Sequence, residues 1–348
     1  MSSTLLLMAP AADHTQAGHP ESYERLRGLR PFLQQHDILD QLSLISAVPA
    51  SHQQLTRIHS RSLIDRIRQT SRQGGGLLDH GDTYATTASY DLACLAAGGC
   101  CLAVDQILTG QHQNGLAVVR PPGHHAEYSR VSGFCLFNNI AAAARQAQVV
   151  HGVERVMIVD YDVHHANGTQ DIFYEDDSVL VLSTHLLAPY FYPGTGRLAE
   201  IGRENGQGYT LNVPLPPRVG DGGYERILTE VIIPAAERFQ PDLILVSAGF
   251  DAHWRDPLAM AGLSLTGYAR LGQALVELAA AVCNGRILFI LEGGYQTDVL
   301  HQGLLNLLYT LLGQSHMVDP IGPLPQAEPD ITNLLAQLRQ HPLLRQPR

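Results

Sequence analysis

Three residues from two separate segments have the types and spacing of a metal site. Asp162 and His164 lie two residues apart in VDYDVHHANG, so their side chains point to the same side of an extended chain. Asp251, in SAGFDAH, offers a third ligand. Three protein ligands that leave a fourth position open are typical of a catalytic zinc rather than a structural one. The three residues therefore predict one catalytic zinc ion.

The residues suited to proton transfer surround a histidine pair. His124 and His125 follow a rigid Pro-Pro-Gly turn, and histidine takes and returns protons near neutral pH. Asp160 and Asn167 are available to fix the ring tautomers through hydrogen bonds. Tyr295, after Gly-Gly, offers a phenol that can donate to a developing oxyanion.

These residues can meet only if the fold brings distant segments together. Short apolar runs alternate with helical patterns, which indicates an α/β fold with buried parallel strands. The runs are 116–119, 155–159, 179–183, 209–213, 243–247 and 287–291, and the main helix candidates are 23–35, 90–108, 138–149, 224–239, 266–282, 298–312 and 331–338. Ligands bind outside the carboxyl ends of such strands, where the chemical residues of this sequence stand. We therefore expect one rim to carry the site.

Composition narrows the class of protein. The chain has 348 residues, 45% of them hydrophobic and 16% charged, which is typical of a globular enzyme and excludes a disordered chain. A net charge of −10 argues against nucleic-acid binding. We find no apolar run of membrane-spanning length and no secretory signal. Five cysteines, an odd number, favour a reducing compartment, and we expect the cytoplasm.

Six ordered motifs resemble those of the zinc-dependent histone deacetylase superfamily: RPPGHHA, GFCLFNNIA, VDYDVHHANGTQ, YPGTG, SAGFDAHWRDPL and LEGGY. The resemblance extends from about Gly18 to Leu312. At two motif positions, Asn167 and the glutamate of LEGGY, the sequence resembles the class II-like branch of this superfamily. This branch includes bacterial deacetylase-like amidohydrolases and acetylpolyamine amidohydrolases. The resemblance implies an arginase-like three-layer α/β fold with an eight-stranded, mainly parallel sheet. We expect residues 1–314 to form one catalytic domain, and residues 315–348 to be a proline-rich segment with a helix that packs on this domain or extends from it.

The resemblance also implies roles for individual residues. Asp162, His164 and Asp251 would bind the zinc ion, His125 would be the general base and then acid, and Tyr295 would polarise the carbonyl. The other implied catalytic residues are His124, Asp160 and Asn167. The implied substrate-binding residues are Gly133, Phe134 and Tyr192 in the channel, Asp82 and Leu258 at its rim, and Arg25 near an acetate-release channel.

Family members also bind structural potassium, and the resemblance implies two such sites in this chain. One set of potassium ligands is Asp160, Asp162, His164, Ser183 and Thr184, and the other is Phe173, Asp176, Val179 and Tyr209.

Two alternatives to a one-metal deacetylase fit the sequence less well. An arginase-type enzyme with two manganese ions needs further carboxylates, but Ala166 and His253 stand at those positions. A non-catalytic acyl-lysine binding module is disfavoured because every residue needed for the chemistry is present. We therefore expect a single metal ion and hydrolysis.

The expected reaction removes acetyl or short acyl groups from the ε-amine of lysine in proteins or peptides. The alternative is acetylpolyamine deacetylation, since small acetylated amines are also substrates in this family. Polyamine-selective relatives tend to carry an acidic residue where this chain has Leu258. Whether the protein forms a homo-oligomer stays open.

Overall fold

A parallel sheet of eight strands forms the centre of the computed structural model, which describes residues 3–345. The strands in these residues are β1 (Ser3–Ala9), β2 (Ser43–Ile45), β3 (Gly76–Leu77), β4 (Tyr84–Ala85), β5 (His112–Val119), β6 (Val156–Asp160), β7 (Val179–Leu186), β8 (Thr210–Leu215), β9 (Leu243–Ala248) and β10 (Ile287–Leu291). The sheet order is β2-β1-β5-β10-β9-β6-β7-β8, and β3 and β4 form a separate antiparallel pair. The carboxyl ends of β5, β10, β9 and β6 therefore lie side by side.

Helices cover both faces of the sheet. They are α1 (Leu29–Gln35), α2 (His52–Leu55), α3 (Arg61–Arg72), α4 (Ser89–Leu108), α5 (Asn139–His151), α6 (Asn167–Phe173), α7 (Asp221–Ile227), α8 (Ile233–Phe239), α9 (Leu265–Cys283), α10 (Thr297–Leu311) and α11 (Thr332–Leu338).

The two faces of each strand contribute to two separate cores. In β6, Val156 and Ile158 join the core under α3, α4 and α5, whereas Met157 and Val159 join the core under α7 to α10. A strand that is buried on both faces needs no polar face, which explains the continuous apolar runs of the sequence. The predicted three-layer α/β fold with an eight-stranded parallel sheet is confirmed.

All six predicted strands are present, but β1, β2, β3 and β4 were not predicted. The helix expected over 23–35 is instead a short 3-10 turn (Tyr23–Arg25) followed by α1, because Gly28 between them has a left-handed backbone with φ of 81°. The helix expected over 224–239 is divided by a π-helical turn, Leu228–Ile232. Pro234 follows this turn, and since proline has no N–H, a regular α-helical ladder cannot continue through it.

Residues after 314 contact the rest of the fold at several points. Trp254 Nε1 donates to the carbonyl of Gly322 at 2.9 Å, and the Glu328 carboxylate accepts the backbone N–H groups at the start of α7. Helix α11 contacts the π-helical turn. The expected boundary between residues 314 and 315 stays a prediction.

Helix α4 is long and apolar enough to cross a membrane by length and composition, although no apolar run of this length was expected from the sequence. Most of its residues are buried, and it packs against α5, β1 and β5. Within the described fold it is a core helix.

Candidate active site

The three predicted metal ligands meet at the carboxyl ends of two neighbouring strands. Asp162 and His164 follow β6, and Asp251 follows β9. Their ligand atoms all lie within 4.8 Å of one another. His164 Nδ1 is 3.1 Å from Asp162 Oδ1 and 3.3 Å from Asp251 Oδ2. The arrangement offers two carboxylates and one imidazole to a single ion.

The surroundings of these carboxylates fit a cation. Asp251 Oδ1 accepts the N–H of Val163, but Asp251 Oδ2 is buried without a hydrogen-bond partner. A carboxylate oxygen that is buried without a hydrogen bond is costly, and a metal ion would satisfy it. Glycines leave the necessary room, because a Cβ at Gly293 would lie 2.1 Å from Asp251 Oδ2 and one at Gly249 would lie 2.2 Å from Asp162 Oδ2. Oxygen and nitrogen ligands of this kind suit zinc.

A second group of metal-ligand types lies nearby, formed by His124, Cys135 and Glu292. Its atoms already have protein partners: Glu292 Oε2 accepts the Gly123 N–H at 2.7 Å, and Cys135 Sγ donates to the carbonyl of Gly133. The Asp162, His164 and Asp251 group is therefore the better metal site.

The two adjacent histidines have different partners. His125 Nδ1 is 2.6 Å from Asn167 Oδ1, an oxygen that only accepts, so Nδ1 carries the proton and Nε2 is left as the basic atom. Burial and the neighbouring His124 and His164 lower the pKa of His125 well below its ordinary value. Asn167 is itself oriented by Glu127, whose carboxylate accepts its amide at 2.9 Å.

His124 Nδ1 is 3.0 Å from Asp160 Oδ2. Burial alone would lower the pKa of His124, but the carboxylates of Asp160 and Asp162 raise it to about 10. The two rings lie 4.0 Å apart between centroids, so a charge on His124 also disfavours protonation of His125. His125 is consequently the ring that is ready to accept a proton.

Tyr295 is held beside the metal group by its backbone. Its N–H donates to Asp256 Oδ2 at 2.7 Å, and the N–H of Gly293 donates to Asp162 Oδ2 at 2.8 Å. Burial raises the pKa of the Tyr295 phenol well above its ordinary value, against the opposing effect of Arg25. The phenol therefore stays protonated and can donate a hydrogen bond.

A cavity of about 330 Å³ connects these groups to the surface. The Tyr192 ring packs edge-on against the His125 ring, with 5.0 Å between the ring centroids. The centroids of the Phe134 and Tyr295 rings are 6.1 Å apart. Gly133 must be glycine, because its φ is 53° and a Cβ would lie 2.2 Å from His125 Cδ2. The cavity lining includes the predicted residues Asp82, Gly133, Phe134, Tyr192, Leu258, His124, His125, His164 and Tyr295. Asp82 and Leu258 are exposed at the mouth.

Arg25 is the predicted substrate-binding residue that does not line this cavity. It is buried behind Tyr295, with its guanidinium carbon 4.9 Å from the centre of the tyrosine ring. Its Nη2 donates to the carbonyl of Glu292 and its Nε to that of Gly294. Arg25 thus contacts the loop that carries Tyr295.

The residues of the first potassium set are close together. Asp160 and Ser183 are paired in the sheet, and Thr184 Oγ1 donates to the carbonyl of Asp160 at 3.2 Å. In the second set, the carbonyl of Phe173 accepts the Asp176 N–H, and the carbonyl of Tyr209 accepts the N–H of Val181, two residues after Val179. Both potassium sites stay predictions.

Sequence reasoning missed two contacts of the site. The Phe191 ring stacks on His164 with centroids 5.0 Å apart, and Glu292 accepts the N–H groups of Gly123 and His124. Both residues stand in or beside quoted motifs, but spacing alone does not say which side chain turns inward.

Comparison with known proteins gives one family. Residues 19–311 match the histone deacetylase domain family. A histone deacetylase-like amidohydrolase of Pseudomonas aeruginosa is 41% identical over 279 residues, which is 80% of this chain and 73% of that protein. The mouse protein named polyamine deacetylase HDAC10 is 38% identical over 319 residues, which is 87% of this chain and 46% of that protein. The crystal structure of the HDA15 HD domain superposes with a TM-score of 0.88 at 36% identity, covering 99% of this chain and 96% of the other.

Proposed function

The chain belongs to the histone deacetylase family and is a deacetylase, and we propose that it removes acetyl groups from the ε-amine of lysine in proteins or peptides with one zinc ion. The proposal rests on Asp251 Oδ2, which is buried without a hydrogen bond and lies 3.3 Å from His164 Nδ1. His164 lines the catalytic cavity together with His125 and Tyr295. An ion binding there would lie among the residues that transfer protons.

Asp162, His164 and Asp251 would hold the metal ion, which would supply Lewis acidity to the water and to the amide carbonyl. His125 Nε2 accepts a proton from the attacking water, because Nδ1 is already bound to Asn167. The same nitrogen returns the proton to the departing amine. The phenol of Tyr295 donates to the carbonyl oxygen as that oxygen gains negative charge.

The cavity walls determine which amides reach these groups. Phe134 and Tyr192 present aromatic rings that suit the apolar stem of an acyl-lysine side chain. Asp82 stands at the mouth, where a carboxylate can accept the backbone N–H groups of a peptide. Leu258, also at the mouth, has an apolar side chain that cannot pair with the second ammonium group of a polyamine. These features favour acetyl-lysine over an acetylpolyamine.

The test is a comparison of kcat/KM for acetyl-lysine peptides and acetylspermidine, each with and without a metal chelator. We expect the chelator to abolish both activities and the peptide to be the better substrate. A tenfold preference for acetylspermidine, about 1.4 kcal/mol, would instead support the polyamine alternative, which the name of the mouse relative and the net charge of −10 favour.

Leu258→Glu sharpens this comparison. The new carboxylate would stand near the distal ammonium group of a polyamine, so the ratio of kcat/KM should shift toward acetylspermidine. An unchanged ratio would show that residue 258 does not select the substrate.

Potassium binding and the cellular compartment are further parts of the proposal. Potassium should raise both activity and melting temperature relative to sodium at equal ionic strength, if Asp160, Ser183 and Thr184 bind it.

All five cysteines are free and buried, which supports a reducing compartment such as the cytoplasm. Cell fractionation tests the location.

A further inference from the structure

A groove beside the mouth of the catalytic cavity has no role in the hydrolysis described above. It encloses about 640 Å³ and is lined by residues 187–194 and Arg197; we call it the rim groove. Tyr190, Phe191 and Tyr192 line both the rim groove and the catalytic cavity. A substrate whose acyl-lysine side chain fills the cavity therefore has its neighbouring residues within reach of the groove.

The segment that forms the rim groove is anchored at both ends. At its start, the N–H of Leu187 donates to the carbonyl of Leu215 at 2.9 Å. In its middle, Phe191 stacks on His164. At its end, the carbonyl of Gly196 accepts His185 Nε2 at 2.9 Å. A groove formed in advance costs a ligand little conformational entropy on binding.

Arg197 is the one charged residue of the groove lining. Its side chain is exposed, and no carboxylate of residues 3–345 pairs with its guanidinium. The nearby Glu200 carboxylate instead accepts the backbone N–H groups of Gly196 and Arg197 and the amide of Gln170. The remaining lining is mostly aromatic or proline. This chemistry suits a ligand that carries a carboxylate next to apolar groups.

We propose that the rim groove is a specificity subsite for an acidic residue of the peptide near the acetyl-lysine, and that Arg197 binds its carboxylate. This inference rests on the proposed function, since it requires acetyl-lysine peptides to be substrates. Asp82 lines the catalytic cavity but not the groove, so the two charges meet different parts of a peptide. A polyamine carries no carboxylate and gains nothing from Arg197.

The experiment compares pairs of acetyl-lysine peptides. The two peptides of a pair differ at one position, which is Glu in one and Gln in the other. The varied position is each of the three residues before and the three residues after the acetyl-lysine in turn. At one or more positions the wild type should hydrolyse the Glu peptide with a higher kcat/KM, by about three- to tenfold and mainly through KM. Arg197→Ala should remove this preference and Arg197→Glu should reverse it, while both retain the Gln-peptide activity. Added salt should reduce the preference, because the guanidinium is exposed.

Arg270→Ala is the matched control, since Arg270 is an exposed arginine on α9 that lines a different cavity. It removes the same charge and should leave the Glu-to-Gln ratio unchanged. Equal ratios near one at all positions, with intact hydrolysis of Gln peptides, would overturn the subsite but not the deacetylase. Loss of the preference in Arg270→Ala as well would show a general charge effect and also overturn it. Hydrolysis of acetylspermidine without hydrolysis of any peptide would overturn the proposed substrate class and the subsite together.

Discussion

His125 and His124 differ in the group behind each ring, and this difference predicts unequal effects of mutation. His125 is bonded to neutral Asn167 and has a lowered pKa, whereas His124 is bonded to Asp160 and has a raised one. His125→Ala should therefore lose more kcat than His124→Ala, which should retain measurable turnover. Steady-state kinetics at saturating substrate, with metal content checked, test this order. Faster turnover by His125→Ala would reverse the assignment.

Tyr295→Phe isolates the contribution of one hydroxyl group. The phenol is kept protonated by burial, so it acts as a donor, and removing it should lower kcat by about 10²–10³. Bound metal should stay at the wild-type level because Tyr295 is not among the proposed ligands. Near-wild-type kcat would remove the tyrosine from the mechanism.

For individual residues, motif spacing predicted which side chains meet but not how they are supported. Asp162, His164 and Asp251 come together because each follows the carboxyl end of a buried strand, and those ends are adjacent. The clearance at Gly249 and Gly293 depends on distances between segments far apart in sequence, which no local pattern contains. The same holds for the contact of Glu292 with Gly123.

At the scale of elements, the loop before α5 shows how backbone shape supports the site. In Gly133→Ala, the new Cβ would lie 2.2 Å from His125 Cδ2, so the loop or the histidine ring must move. We expect a large loss of kcat with the fold retained. Gly152→Ala is the matched control, because Gly152 has a similar φ of 66° but no atom within 4 Å of the added Cβ. Both changes should cost about 1–2 kcal/mol of stability through the left-handed backbone.

Kinetics and thermal unfolding of the two variants separate the effects. Equal loss of activity in both would show that backbone strain, not contact with His125, explains the result.

Elements with a strong apolar or helical pattern were predictable. Elements that are very short, or that interrupt a regular helix, were not. The buried strands β5 to β10 were all predicted, because continuous apolar runs identify strands that are covered on both faces. β2 has only three residues at the edge of the sheet, and its pairing with β1 joins residues that are almost 40 positions apart in the chain. The π-helical turn before Pro234 was likewise not predictable, because it depends on how the helix packs where proline lacks a backbone N–H.

At the scale of the whole molecule, buried neutral histidines make stability depend on pH. His59 accepts the N–H of Asn138 through Nε2 and bonds the carbonyl of Glu127 through Nδ1, so both ring nitrogens are used in the neutral form. Burial lowers the pKa of His59 to about 4. Between about pH 6.5 and pH 4 the unfolded chain therefore binds more protons at this residue, and the free energy of unfolding falls as the pH falls.

The expected decrease is at most about 1.4 kcal/mol per pH unit for this histidine. Urea unfolding at several pH values, for the wild type and for His59→Gln, measures it. The variant should show a weaker dependence on pH over the same range. An identical decrease in both would mean that His59 is not responsible.

The most direct test of the account is a zinc titration of metal-free protein, with deacetylation of an acetyl-lysine peptide as the readout. Asp162, His164 and Asp251 form one site, so activity should rise linearly and stop rising at one zinc ion per chain. Asp251→Ala should bind little zinc and stay inactive with an intact fold. Full activity of the metal-free protein, or a requirement for two ions per chain, would contradict the account.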